Sequence, residues 1–133
     1  MAGYSGTPLP QKLGIKEGHK VALVGAPAGF DLGTLPMGAT VARRLGTQHD
    51  VIVAFVKTRA DLAAKIEELR PRMTQACGLW IAWPKKASGI ATDMTEQTIR
   101  DVALPTGLVD NKVCAIDDTW SALRLVIRRE LRT

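Results

Sequence analysis

Four short apolar runs punctuate the chain: Val21 to Val24, Val51 to Val56, Leu79 to Trp83 and Val113 to Ile116. Each is nearly continuous rather than alternating, and each is bounded by Gly, Pro, Asp or Lys. Runs of this kind mark strands covered on both faces, as in a parallel sheet. Between the second and third runs, Leu62, Ala63, Ile66 and Leu69 recur at helical spacing. Thr58 can cap that helix and Pro71 stops it. A second helix is predicted near Thr95, where Asp93 and Glu96 have capping-box spacing and Ile99, Val102 and Ala103 form its buried side; Pro105 and Gly107 end it.

Two regions read less simply. Pro27, Gly29, Gly33, Pro36 and Gly38 predict a loop after the first strand, followed by a helix from Gly38 to Leu45. Trp120 to Leu131 fits either a helix or a strand, and the cluster Leu125-Val126-Ile127 favours an edge strand returning after an Asp117-Asp118 turn. The order strand, loop-helix, strand, helix, strand, helix, strand predicts an α/β fold of the Rossmann-like or flavodoxin-like kind. It is expected as a single three-layer domain over residues 1–133, with a mostly parallel sheet of four to five strands. Residues 1–19, with Pro8, Pro10, Gly14 and Gly18, read as an extended N-terminal arm.

The composition agrees. A chain of 133 residues, 46% hydrophobic, buries one core and is neither disordered nor, with two cysteines, a disulfide scaffold. No apolar run approaches the roughly 18 residues of a membrane span. The opening residues carry no secretion signal, and the unpaired cysteines suit a reducing compartment, so the expected location is cytoplasmic. The formal net charge of +5 favours anionic partners. Arg124, Arg128, Arg129 and Arg132 crowd the C-terminus, where a nucleic acid or protein could bind.

In an open parallel sheet, ligands bind beyond the carboxyl ends of the strands. Here those ends supply Gly25 and Pro27, Lys57, the loop Trp83-Pro84-Lys85-Lys86-Ala87-Ser88, and Asp117 to Trp120. Ala54-Phe55-Val56-Lys57 and Ala82-Trp83-Pro84-Lys85 lie 28 positions apart and place Lys57 and Lys85 on one edge. Gly25, Pro27, Lys57, Trp83, Lys85, Lys86, Ser88, Asp117 and Trp120 are therefore the expected binding set for a small phosphate-bearing ligand. Helix starts near Thr58 and Asp93 would add N–H groups.

No catalytic or metal residue is assigned. Cys77 and Cys114 are 37 positions apart and His19 and His49 are 30 apart, so none has ligand spacing. Ala87-Ser88-Gly89 is not a nucleophile elbow, and no phosphate-loop motif is present. The stretch Leu13 to Gly25 resembles the opening of a Rossmann-type methyltransferase, which implies an acidic residue two positions before the first glycine and then Gly-x-Gly. Leu23 and Pro27 occupy those positions, so no cofactor is expected by this route.

Gly3-Tyr4-Ser5-Gly6-Thr7-Pro8-Leu9, Leu13-Gly14-Ile15-Lys16, Leu79 to Lys86, Thr92-Asp93 and Lys112 to Ser121 together resemble a bacterial family, domain of unknown function 3052. The resemblance covers nearly the whole chain and implies a compact bacterial cytoplasmic domain. Some actinobacterial relatives are redox-linked transcriptional regulators with a close cysteine pair, which this chain lacks. The expected function is a regulatory rather than catalytic anion-binding domain. The alternatives are a transcriptional or stress-response regulator acting through the basic C-terminus, and an enzyme of unknown type.

Overall fold

The structure, a computed structural model, describes residues 7–133; the first six positions of the expected arm lie outside the described residues. Six strands form one sheet: β1 (Lys20–Val24), β2 (Thr40–Ala42), β3 (His49–Phe55), β4 (Met73–Pro84), β5 (Leu108–Ala115) and β6 (Trp120–Ile127). Their spatial order is β2-β1-β3-β4-β6-β5. β2, β1, β3 and β4 pair in parallel, while β6 runs antiparallel to both of its neighbours. The sheet is thus mostly parallel, with six strands rather than four to five.

Two expectations change here. The helix expected from Gly38 to Leu45 is absent. Thr40 and Val41 are β-branched and extend instead, pairing with Lys20 and Val21 of β1, and the Thr40 amide donates to the His19 carbonyl at 2.9 Å. Trp120–Ile127 is a strand, as favoured, but it is not at the edge. It inserts between β4 and β5, with Leu79 opposite Leu125 and Val113 opposite Leu123. Both of its faces are covered, which explains why its apolar residues do not alternate.

The helices are α1 (Leu9–Lys12), α2 (Arg59–Leu69) and α3 (Glu96–Ala103). Thr58 caps α2 by accepting the Asp61 amide at 3.1 Å. At α3 the capping pair is Thr95 with Thr98, not Asp93 with Glu96. Asp93 instead reaches across to accept the Arg59 amide at 2.8 Å, so it closes the start of α2.

The two sheet faces are covered differently. α2 and α3 bury Leu62, Ile66, Leu69, Ile99 and Ala103 against Ile52, Leu79, Ile81, Leu123 and Leu125. On the opposite face no long helix packs. Leu13 and Ile15 of the arm and Leu32 of the loop between β1 and β2 cover Val21, Leu23, Val53, Phe55 and Trp80. The fully buried Trp80 indole N–H donates to the Leu13 carbonyl at 3.0 Å and pins the arm to the sheet. Among the described residues no helix is long and apolar enough to cross a membrane.

Candidate ligand site at the carboxyl edge

The parallel strands bring the expected residues to one edge, but most are committed to the fold. Gly25 turns the chain after β1 with φ +69°, and a Cβ there would lie 3.1 Å from the Phe55 carbonyl oxygen. The Pro27 carbonyl accepts the Phe30 amide at 3.1 Å. Lys57 is exposed and its carbonyl accepts the Thr92 hydroxyl at 2.6 Å. The Lys85 amide donates to the Thr119 carbonyl at 2.8 Å, and Lys86 is exposed on a short turn.

Ser88 closes that turn, donating through Oγ to the Lys85 carbonyl at 2.6 Å and accepting the Ile90 amide at 3.2 Å. Asp117 Oδ1 accepts the Thr119 and Trp120 amides, both at 2.8 Å, in the turn between β5 and β6. Trp83 packs half-buried on the helix-covered core, whereas Trp120 is buried in the opposite one, so the two tryptophans face different sides. The α2 amides expected for a ligand are taken by Thr58 and Asp93. None of the nine residues lines the cavity described next.

That cavity, of about 460 Å³, opens at the carboxyl ends of β1 and β2, on the face opposite α2 and α3. Its apolar walls are Leu23, Leu32, Leu35 and Val41, with Phe30 beside them. The Phe30 ring meets Phe55 edge-on at 5.0 Å, and Phe55 meets Trp120 at 5.1 Å. Such pairs add about 0.5–1.5 kcal/mol each beyond area burial and hold the wall in place. The polar groups are Asp31 and Arg43. Asp31 Oδ1 accepts the Gly33 amide at 2.8 Å, and the Arg43 guanidinium donates to the Phe30 carbonyl.

Gly29 and Gly33 flank Phe30-Asp31-Leu32, and both have positive φ. A Cβ at either would meet no atom within 4 Å, so the bare backbone leaves ligand-accessible space. One carboxylate, one guanidinium, exposed glycine backbone and an apolar floor suit a ligand that combines a flat apolar ring with hydroxyl and anionic groups. The donor set thus fits an adenosyl ligand. The cradle differs from the glycine-turn-to-helix arrangement because residues 25–39 contain no helix. Sequence reading missed Asp31, Phe30 and Arg43. The paired glycines around Phe30-Asp31-Leu32 were the available signal.

The cysteines stand apart from this site. Burial pushes the Cys77 thiol up to about 12, and burial also raises Cys114. Neither is activated as a nucleophile.

Comparison with solved structures identifies the architecture. A SAM-dependent methyltransferase from Aquifex aeolicus matches with a TM-score of 0.65 over 88% of this chain and 87% of that one, at 14% identity. The fibrillarin pre-rRNA processing protein of Methanococcus jannaschii matches at 0.61 over 92% of this chain and 69% of its own, also at 14% identity. A ribosomal protein L11 methylase from Lactobacillus delbrueckii subsp. bulgaricus matches at 0.55 over 84% and 71%, at 12% identity. The fold is the Rossmann-like methyltransferase fold. A scan against protein-family models found no match, and neither did a search of curated proteins.

This finding corrects the functional expectation. The matched structures include a SAM-dependent methyltransferase, a ribosomal protein L11 methylase and a tRNA methyltransferase, and they do not support the expected regulatory anion-binding domain.

Proposed function

We propose that this chain binds S-adenosylmethionine in the cavity between the β1–β2 loop and the end of β2, and is a methyltransferase. The observation that carries the reading is the fold match to the Aquifex aeolicus SAM-dependent methyltransferase, with a TM-score of 0.65 over 88% of this chain and 87% of that one. The glycine-flanked cavity at the carboxyl edge supports it independently.

When bound, the cofactor supplies an electrophilic methyl group on a sulfonium. The protein's part is to bind, orient and shield. Leu23, Leu35 and Val41 remove a flat base from water, and the Asp31 carboxylate fixes the sugar through the oxygen not held by Gly33. Arg43, anchored on the Phe30 carbonyl, opposes the carboxylate of the amino-acid end. Gly25 keeps the first-strand loop against Phe55, so the edge between β1 and β3 stays narrow. Holding donor and acceptor in register is the main contribution such a site makes.

Isothermal titration with S-adenosylhomocysteine tests the reading. The expected result is one site with an affinity of about 1 µM–1 mM. Asp31→Asn should weaken it by about 1.5–3 kcal/mol, the worth of a hydrogen bond to a charged group. No heat at millimolar ligand, with the protein folded, would overturn the proposal.

A further inference from the structure

The face opposite α2 and α3 carries a second feature that the cavity does not use. In register across three strands stand Trp80 of β4, Arg124 of β6 and Lys112 of β5. Arg124 lies across Gly78, where a built Cβ would sit 2.6 Å from its Nε. Glycine at that position is what gives the guanidinium its seat. Burial lowers the Arg124 pKa, and Arg132 adds a second cation nearby. Among the described residues Arg124, Lys112 and Lys16 make no ion pair, whereas Lys65 and Arg100 on the helix-covered face each have a carboxylate. A half-buried cation without a counter-charge is costly to keep unless an anion visits it.

The surroundings are basic throughout. A cavity of about 300 Å³ is lined by Lys12, Lys16, Lys112 and Arg124 around Trp80, with no carboxylate. A neighbouring depression shares Lys12 and Lys112 with it, and a third shares Gly14 and Lys16. That third depression reaches Leu35, which also walls the candidate cofactor cavity. The depressions therefore adjoin one another through shared lining residues, from the candidate cofactor cavity to the cationic strip.

We infer that this strip seats the phosphate backbone of a single-stranded nucleic acid, through Lys16, Lys112 and Arg124. Charge complementarity selects the occupant: Lys16, Arg124 and Lys112 line one cavity, and Lys16 and Lys112 each also line a neighbouring depression, so the cations continue beyond a single pocket as the phosphates of a strand do. Naming that strand the methyl acceptor rests on the methyl-transfer reading; the binding itself does not.

The test is fluorescence anisotropy of the full chain with one labelled single-stranded sequence, made as RNA and as DNA, over a salt series. Binding should weaken with salt. Lys16→Glu with Lys112→Glu should lower affinity at least tenfold and reduce the salt slope by about 1.4, from roughly 0.7 per lost phosphate contact. Arg124→Gln should weaken it separately. Arg59→Glu with Lys65→Glu, an equal charge change on α2, should leave the affinity near wild type. Binding of neither strand, equal losses in both double variants, or inorganic phosphate bound as tightly as the strand would overturn the inference. Titration with S-adenosylhomocysteine on the same proteins separates the two claims. A chain that binds the strand but not the cofactor sinks only the enzymatic reading, and the reverse sinks only the strip.

Discussion

One face of this sheet is sealed by two amphipathic helices, and the other is covered by an arm and a proline-broken loop. On the first, α2 and α3 interlock with Ile52, Leu79, Ile81, Leu123 and Leu125, and the Arg100 and Lys65 cations are neutralised by Asp110, Glu96 and Asp61. On the second, Leu13, Ile15 and Leu32 bury Val21, Val53 and Trp80 without a long helix, and beside them lie the candidate cavity and the cationic depressions. A helix fills space and satisfies its own backbone. A loop leaves depressions and free amides, which is where ligands find partners. The difference sets a helix-sealed core on one side of the molecule against a loop-covered core with open depressions on the other.

The strongest way to break that contrast is to cut into each side equally. Ile66→Ala, at a fully buried α2 position, should cost about 2–5 kcal/mol by urea denaturation. Leu35→Ala, on the loop wall, should cost under about 1 kcal/mol while weakening cofactor binding. Equal losses of stability would dissolve the distinction. A smaller effect is expected from Trp80→Phe, which removes the 3.0 Å bond to Leu13 and leaves its carbonyl unmet, at about 1–3 kcal/mol. Hydrogen exchange should then quicken at Ile15, whose amide donates to the Pro10 carbonyl, and not in α2. Gly25→Ala should cost about 1–2 kcal/mol, since alanine resists the left-handed turn and its Cβ crowds Phe55.

The smallest expected effect is on pH dependence. His49, at the amino end of β3, accepts the Gly46 amide through Nε2 at 2.8 Å, and its buried Nδ1 has no partner. Burial first, then Arg72, lowers its pKa. The unfolded chain therefore binds the proton more readily, and the contribution present above the unfolded value of about 6.5 is lost as pH falls through the folded one. Thermal melts should show this acid loss in the wild type and a flatter profile in His49→Gln. Identical profiles would show that His49 does not titrate as its burial dictates.

The sequence revealed the alternation of buried strands because β1, β3 and β4 are covered on both faces and so read as continuous apolar runs. It concealed β2, whose three exposed residues carry no burial pattern at all. It also concealed the place of β6, because insertion between two strands is a property of topology that local composition does not encode. The residues expected to bind a ligand do converge on the carboxyl edge. Yet Ser88, Asp117 and the α2 start are occupied by turn and cap hydrogen bonds that only the folded chain makes visible. Asp31 went unnoticed for the converse reason: a single carboxylate in a loop has no sequence signature until glycine backbone and Arg43 are seen around the same space.

We propose that an adenosyl ligand occupies the loop cavity on the face opposite α2 and α3. Backbone amide NMR of the full chain, titrated with S-adenosylhomocysteine, tests it most directly. Binding there should concentrate shifts at Leu23, Gly29 to Gly33, Val41 and Arg43, with α2 and α3 silent. Shifts gathered instead at Lys57, Lys85 and Lys86, or none at saturating ligand, would contradict it.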